Sequence, residues 1–453
     1  MTNTIDRIIE SWACTDSKQN STGQLLEWIE ERNKTVKVDI KKVAPTKSDV
    51  WQYRAEDGCI ANSDRSFFTI HGFRRGEIEQ PIIIQDEIGY LGILCKEISG
   101  VLHFLMQAKI EPGNINKIQI SPTIQATKSN FMQKHGGNRP AYLDYFLESS
   151  KYEVIVDQIQ SEQSSRFLGK RNRNIIIIVP PETSVEMTPN HRWMTLGQIK
   201  QLMKYDNVVN MDTRTVLSCI PFHLAKPETA QVFFNNLALY RSICFGDGIN
   251  HMPEIYQQIN NSRMFDEERP QLVPLQSMAN WRWDGGEFVC KDGYHFKIVF
   301  CDIEIEGREV KRWTQPLFQA VGIATFGLLC FESNGVLEFL VKARDEIGSF
   351  DGPELGATLQ LEADQIASDE IEKFFMKQYD ECNGIMHDVI LSEEGGRFYH
   401  EQNRNIVLKV LEEQLPELPR GYFAVDYKTL NMLVQINNCL NIQLRNLLSL
   451  LEV

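Results

Sequence analysis

The stretch Gly100–Gly113, GVLHFLMQAKIEPG, predicts a β-strand with one apolar face and one polar face. Leu102, Phe104 and Met106 alternate along it with polar side chains, among them Gln107, Lys109 and Glu111. Because successive side chains of a strand point to opposite faces, one face can pack on a core. An amide, an ammonium and a carboxylate then project together from the other face, which indicates a polar binding or catalytic surface.

The same stretch occurs a second time, as GVLEFLVKARDEIG over Gly335–Gly348. Further pairs follow in the same order: SEQSSRF (Ser161–Phe167) with SEEGGRF (Ser392–Phe398), and NRNIIII (Asn172–Ile178) with NRNIVLK (Asn403–Lys409). A repeat of more than two hundred residues is a domain and not a solenoid unit. The sequence therefore predicts a first copy over residues 1–220, a helical connection over 221–280 and a second copy over 281–453.

Composition excludes several classes of protein. The chain of 453 residues has a formal net charge of −14, which argues against a general nucleic-acid binder or a binder of anionic membranes. It contains no apolar run near the roughly 20 residues that span a bilayer and no secretory signal, so we expect a cytoplasmic protein. The ten cysteines are scattered singly and the nine histidines form no HExxH pattern, so no metal site is predicted. The sequence contains no GxGxxG fingerprint, so no dinucleotide cofactor is predicted.

A second polar run, Ser161–Asn174, contains one carboxylate, Glu162, and four cations: Arg166, Lys170, Arg171 and Arg173. Clustered Lys and Arg side chains are what a phosphate group requires. In the second copy Lys170-Arg171 becomes Glu401-Gln402, and Gln163 becomes Glu394. A polyanion such as a diphosphate should therefore bind the first copy better. The alternatives are a solvated charge run and, for Arg166 and Asn172, which recur, a structural role.

Several long motifs resemble the NDP-hexose 2,3-dehydratase family. They are QAKIEPGN (Gln107–Asn114), SPTIQATKSN (Ser121–Asn130), HGG (His135–Gly137), SEQSSRFLGKRNRN (Ser161–Asn174), VVNMDTRTVLSC (Val208–Cys219), REVKRWTQPL (Arg308–Leu317) and SEEGGRFYH (Ser392–His400). The resemblance implies an α/β (α+β) fold of two tandem Nudix-hydrolase-like domains, with mixed sheets flanked by helices, and a homodimer. The sequence departs from the family pattern at Phe131, where a Tyr is expected. It also contains no visible Nudix box.

The same resemblance implies loss of water across carbons 2 and 3 of a dTDP-linked 4-keto-6-deoxyhexose, without a cofactor. The product would pass to an NADPH-dependent 3-ketoreductase. The alternatives are a non-catalytic protein that binds sugar nucleotides and, less favoured, a nucleotide-sugar hydrolase.

Site residues follow from combining the motifs with this chemistry. Glu111 or Glu162 is the expected base, Lys109 polarises the ketone or acts as acid, and His135 is a further acid, although it is also readily explained as a loop residue. The residues expected to bind substrate are Gln107, Asn114, Gln125, Thr127, Asn130, Arg166, Lys170, Arg171 and Arg173. The matching pocket of the second copy is expected to contain Arg344, Glu346, Gln360, Glu393, Arg397 and Arg404. Without the resemblance, Lys109 and Glu111 are equally well explained as a surface ion pair.

Overall fold

The computed structural model describes residues 4–48, 50–132, 139–306 and 310–453. The helices are α1 (Thr4–Ala13), α2 (Thr22–Thr35), α3 (Lys128–Phe131), α4 (Leu143–Leu147), α5 (Leu196–Leu202), α6 (Met211–Ser218), α7 (Pro227–Ala230), α8 (Leu237–Phe245), α9 (Met252–Phe265), α10 (Glu370–Asp380), α11 (Tyr427–Leu433) and α12 (Ile442–Leu448). None of these helices is long and apolar enough to cross a membrane.

The strands before residue 200 are β1 (Val38–Val43), β2 (Trp51–Arg54), β3 (Cys59–Asn62), β4 (Thr69–Arg75), β5 (Ile78–Ile84), β6 (Gly89–Ile98), β7 (Val101–Ile110), β8 (Ile118–Ser121), β9 (Ile124–Ala126), β10 (Glu153–Ser161), β11 (Arg171–Val179) and β12 (His191–Met194). Those after it are β13 (Gln271–Val273), β14 (Trp281–Asp284), β15 (Glu287–Cys290), β16 (Phe296–Ile305), β17 (Arg312–Ala320), β18 (Ala324–Ser333), β19 (Val336–Arg344), β20 (Glu354–Gly356), β21 (Leu359–Leu361), β22 (Ile385–Ser392), β23 (Phe398–Tyr399), β24 (Gln402–Val410) and β25 (Tyr422–Asp426).

Two seven-stranded mixed sheets carry the repeat, as predicted. In the first, β10-β11-β6-β7-β12, the hairpin β6–β7 is antiparallel and β11 runs parallel to β6. The second sheet repeats these relations, with an antiparallel β18–β19 hairpin and β24 parallel to β18. The predicted strand is β7, and its apolar residues Phe104 and Met106 are fully buried. The mixed α+β fold and the duplication are therefore confirmed, and the sheets are compatible with the Nudix-like expectation, which stays a prediction.

Two smaller sheets join the halves of the chain. One is β13-β4-β3-β2 with β5 on β4, and the other is β14-β15-β16-β17-β23. Strand β1, from the predicted first copy, pairs antiparallel with β16 of the second over Val38↔Ile305 to Val43↔Phe300. Helices α6 and α12, at matching positions of the repeat, also pack against each other. The two halves consequently share one core and are not separate bodies on a linker.

Apolar residues at helical spacing predict two helices within Asp6–Lys34, a helix over Leu196–Ile220 that is interrupted near Asp206–Asn210, and helices over Thr229–Ile243 and Met252–Ser262 in the connection. The structure confirms these predictions with one change. The expected interruption near Asp206–Asn210 separates α5 from α6, because the Asn210 side chain accepts the backbone N–H of Thr213 and caps α6. In the connection, α9 is as predicted. The helix expected over Thr229–Ile243 is instead divided into α7 and α8, and Asn236 caps the second of these.

Two loops cross between the halves at symmetric positions. The backbone N–H of Gly113 donates to Gly395 O at 2.7 Å, and His400 N–H donates to Gly113 O at 2.8 Å. In the related position Gly348 N–H donates to Ser164 O at 2.9 Å, and Gly169 N–H donates to Gly348 O at 2.8 Å. Each SExxxRF loop therefore lies against the opposite half of the molecule, which decides where its side chains point.

We expect Gly113→Ala to lower the free energy of unfolding by about 3 kcal/mol. A Cβ at this position would lie 1.6 Å from the Phe398 carbonyl oxygen, so the crossing loop would have to move. Urea unfolding measures the change. The control is Gly23→Ala in α2, where the nearest atom to a new Cβ is 3.8 Å away and alanine is the better helix former. Equal stability of Gly113→Ala and wild type would contradict the close approach.

Candidate active site

A cavity of about 460 Å³ opens beside β7, and both halves of the chain line it. The polar residues from the first half are Gln85, Lys109, Glu111, Gln125, Thr127, Ser129, Glu162, Lys170, Asn172 and Asp212. Those from the second half are Arg312, Thr314, Gln315, Glu394 and Arg397, together with Trp313. Trp51, Phe67 and Phe68 form part of the apolar wall. The mixed origin of the wall follows directly from the crossing loops.

Lys109 and Glu111 extend into the cavity from the end of β7. Their charged groups are 3.1 Å apart, and the side chains are 12% and 7% exposed, so they form a buried pair and not a surface one. Gln125 Nε2 donates to Glu111 Oε1 at 3.1 Å, and Lys109 Nζ donates to the Gln125 carbonyl at 3.3 Å. These bonds hold the carboxylate and the ammonium in a fixed relative orientation.

Glu162 lies in the same cavity, beside Lys170 and Asn172. The Asn172 amide donates to Glu162 Oε2 at 2.5 Å, whereas the buried Oε1 has no hydrogen-bond partner among the described residues. Burial raises the pKa of Glu162, and burial lowers the pKa of Lys170 to about 8. Lys170 Nζ donates to the carbonyls of Glu87 and Arg171. A carboxyl and an amine with pKa values shifted toward neutrality are suited to acid–base chemistry.

Asp212 is a cavity residue that sequence reasoning missed. It lies in the first turn of α6, two residues after the Asn210 cap, and is 2% exposed. Burial raises its pKa well above the usual range, and the neighbouring Glu162 raises it further. Comparison of the copies could have found it, because NMDTR at Asn210–Arg214 matches NIQLR at Asn441–Arg445 with Gln443 in place of Asp212.

Arg397 does not lie in the second-copy pocket that the sequence predicted for it. Arg397 was expected in the second-copy pocket, whereas the crossing loop places it in the first cavity. Its Nε donates to Gln85 Oε1 at 3.2 Å, and its guanidinium carbon is 4.3 Å from the centre of the Phe68 ring. Glu394 lies nearby, and burial raises its pKa to about 7.

Arg166, in the loop of the first half, contacts residues of the second half. It was expected to bind substrate in the first copy, but its guanidinium pairs with Glu362 at 3.1 Å and Glu401 at 3.6 Å. Glu362 lines a second cavity, of about 340 Å³. The symmetric loop crossing explains both displacements.

Comparison with known proteins agrees with this two-fold arrangement. The model of the NDP-hexose 2,3-dehydratase family matches residues 22–220 and again residues 252–451. The chain belongs to this family. A protein of Saccharopolyspora spinosa named dTDP-4-dehydro-6-deoxy-alpha-D-glucopyranose 2,3-dehydratase is 37% identical over 440 residues, which cover 94% of this chain and 90% of that protein. Proteins of the same name are 34% identical in Amycolatopsis orientalis, over 98% of this chain and 93% of that protein, and in Streptomyces violaceoruber, over 93% and 95%.

The other predicted substrate-binding residues of this family member divide into two groups. Gln125, Thr127 and Lys170 line the first cavity. Arg171 lies over the Phe350 ring at 3.7 Å, Arg173 pairs with Asp157 at 2.6 Å, and Asn114 bonds the Lys117 carbonyl. These three residues and Gln107 are not part of the cavity wall. Asn130 belongs to α3, and His135 lies outside the described residues.

The second cavity contains part of the set predicted for it. Arg344, Glu346 and Gln360 line it, with Gln360 Nε2 donating to Glu346 Oε1 at 3.1 Å as Gln125 does to Glu111. Glu393 and Arg404 do not line it. Glu393 is buried against Asn403, with a pKa that burial raises to about 8, and Arg404 pairs with Asp388 at 3.0 Å.

The ten cysteines are free thiols, and no group of three or more His, Cys, Asp or Glu side chains in the described ranges is arranged to hold a metal ion.

Proposed function

We propose that this chain removes water across carbons 2 and 3 of a dTDP-linked 4-keto-6-deoxyhexose in the first cavity. Family membership and the names of the relatives support a hydro-lyase, and the cavity supplies suitable groups. The observation that carries the proposal is the convergence of Glu111, Glu162 and Asp212 with two ammonium groups in one buried space. Elimination of water involves no net electron transfer, so the reaction requires proton donors and acceptors only.

Glu162 is the base. The ketone at carbon 4 acidifies the hydrogen on carbon 3, and the unbonded Oε1 of Glu162 is available to accept that proton. A positioned base contributes about 10²–10⁴-fold to the rate. Between the two glutamates expected from the sequence, Glu111 is the weaker candidate because its Oε1 already interacts with both Lys109 and Gln125.

Lys109 donates to the ketone oxygen as negative charge develops there. Its ammonium is fixed by Glu111 and by the Gln125 carbonyl, so it is oriented before substrate arrives. Asp212, whose pKa is raised by burial, gives its proton to the carbon-2 hydroxyl, which leaves as water. The C3–H and C2–O bonds break, a C2=C3 double bond forms, and the resulting enol converts to a 3,4-diketo-2,6-dideoxy sugar.

The product defines the next step. A 3,4-diketone is reactive, so the proposal includes an NADPH-dependent 3-ketoreductase that consumes it. It also includes a homodimer in the cytoplasm, and the ten free thiols fit a reducing compartment.

The test supplies dTDP-4-keto-6-deoxyglucose to the purified protein, with and without NADPH and a 3-ketoreductase, and follows the mass of the nucleotide sugar. We expect loss of one water, with the product trapped by the reductase as a 2-deoxysugar nucleotide. Intact substrate under both conditions would contradict the proposed function. Release of a nucleoside monophosphate would indicate a hydrolase instead.

A further inference from the structure

Asn210, the cap of α6, also bonds a residue of the first cavity. It is 4% exposed and is not one of the residues that line either cavity. Its Oδ1 accepts the backbone N–H of Thr213 at 2.9 Å. Its Nδ2 donates to Ser121 Oγ at 2.9 Å and to Gln125 Oε1 at 3.1 Å. The start of the helix is thereby joined to Gln125, which does line the first cavity.

The orientation of two side-chain amides follows from the start of α6. A backbone N–H can only donate, so Asn210 turns its oxygen to Thr213 and its nitrogen to Gln125. That nitrogen requires an acceptor, so Gln125 turns its oxygen to Asn210 and its nitrogen to Glu111. Gln125 Nε2 donates to Glu111 Oε1 at 3.1 Å, and the same oxygen pairs with Lys109 Nζ. The backbone donor at the helix start therefore decides which group Gln125 offers to the carboxylate.

The reverse orientation of Gln125 would place its amide oxygen against Glu111. Both groups would then be acceptors, and the carboxylate would lose a donor that holds it in place. Since Glu111 holds the ammonium of Lys109, the displacement would reach the group that donates to the ketone. A correct orientation of the Gln125 amide is consequently a condition for a correctly placed ammonium.

We propose that Asn210 is a positioning residue for the dehydration, which acts through Gln125 on the buried ion pair. The inference rests on the proposed function, in which Lys109 of that pair donates to the ketone oxygen. Asn210 also lies two residues before Asp212 and caps the helix that carries this acid. One side chain thus fixes the acid at the start of α6 and the donor at the end of β7 relative to each other.

The second half repeats the network around Asn441 and so provides a matched control. Asn441 Oδ1 accepts the backbone N–H of Leu444 at 3.0 Å, and Nδ2 donates to Gln360 Oε1 at 2.9 Å. Gln360 Nε2 donates to Glu346 Oε1 at 3.1 Å. These side chains do not line the first cavity. A purely structural role would apply to both asparagines, whereas positioning for the reaction applies to Asn210.

The test compares Asn210→Ser with Asn441→Ser in turnover of dTDP-4-keto-6-deoxyglucose. Serine is a favourable cap, so each variant keeps an acceptor for the helix and loses the amide donor. We expect Asn210→Ser to lower kcat about 10–100-fold with KM within about twofold of wild type, because it displaces reacting groups without contacting substrate. Asn441→Ser should keep kcat within about twofold of wild type. Urea unfolding should show similar losses of stability in both variants.

A double-variant cycle tests whether Asn210 acts through Gln125. Gln125→Met removes the amide and keeps the length of the side chain. In that background Asn210→Ser should change kcat by no more than about twofold, because the group through which it acts is absent. Fully additive losses would overturn this route. Wild-type kcat in Asn210→Ser, or an equal loss in Asn441→Ser, would overturn the positioning role itself.

An NMR measurement separates this inference from the proposed function. Selective ¹⁵N labelling of glutamine reports the side-chain amide of Gln125, which is assigned by its loss in Gln125→Met. We expect its hydrogens to exchange with solvent faster in Asn210→Ser than in wild type, and at the wild-type rate in Asn441→Ser. If wild type releases no water but this change occurs, the dehydratase function fails and the positioning of Gln125 stands. Unchanged exchange in Asn210→Ser would overturn the positioning role in an active enzyme as well.

Discussion

Glu162→Gln is expected to lower kcat by about 10²–10⁴-fold, the usual contribution of a positioned base. Glutamine keeps an oxygen that can accept the Asn172 amide, but it offers no basic oxygen at the position of the unbonded Oε1. Because the change also removes the carboxylate beside the buried ammonium of Lys170, urea unfolding of the variant is measured together with turnover. Steady-state turnover of dTDP-4-keto-6-deoxyglucose measures the effect.

Two further measurements on Glu162→Gln separate catalysis from binding and folding. The affinity for dTDP should stay within about threefold of wild type, because the proposal places Glu162 at the sugar and not at the nucleotide. Exchange of the carbon-3 hydrogen with D₂O should fall together with kcat, since both need the same proton transfer. A variant that retains exchange but loses turnover would assign Glu162 to a later step.

Asp212→Asn is expected to lower kcat by about 10²-fold or more. The asparagine has the same shape and can still donate a hydrogen bond, but it cannot transfer a proton to the departing hydroxyl. Exchange of the carbon-3 hydrogen should continue, because Glu162 and Lys109 are unchanged. This split between exchange and water loss would not arise from a purely structural role.

The second half offers the natural comparison for Asp212, since Gln443 occupies that position and lines the second cavity. An active Asp212→Asn enzyme would contradict the role of Asp212 as acid. Equal losses of exchange and of turnover would show that Asp212 positions the substrate instead.

The local features of the site could be predicted from sequence. The alternation along β7 correctly places Lys109 and Glu111 on one face, and the repeat correctly predicts a second sheet of the same order. The interruption before Asn210 also follows from local residues, because Asn is a favourable helix cap. These predictions depend on residues that are neighbours along the chain or on one strand.

Two sequence predictions of residue placement differ from the structure for physical reasons that local sequence patterns do not show. Treating Lys170–Arg173 as one basic surface overlooked the alternation of β11, which directs Asn172 into the cavity and Arg171 and Arg173 to other partners. The exchange of Arg166 and Arg397 depends on hydrogen bonds such as Gly113 to Gly395, between residues almost three hundred positions apart. No spacing within either copy indicates which half a loop will enter.

The most direct test of the central claim, that dehydration takes place in the first cavity, compares kcat of Glu162→Gln and Glu393→Gln in one assay. The two glutamates occupy the same position of the repeat, and each accepts the amide of the following NRN asparagine. Glu162 lines the first cavity, whereas Glu393 lines neither of the two cavities described above. The account predicts a loss of about 10²-fold or more for Glu162→Gln and a kcat within about twofold of wild type for Glu393→Gln. Loss of turnover in Glu393→Gln, with an active Glu162→Gln, would contradict it.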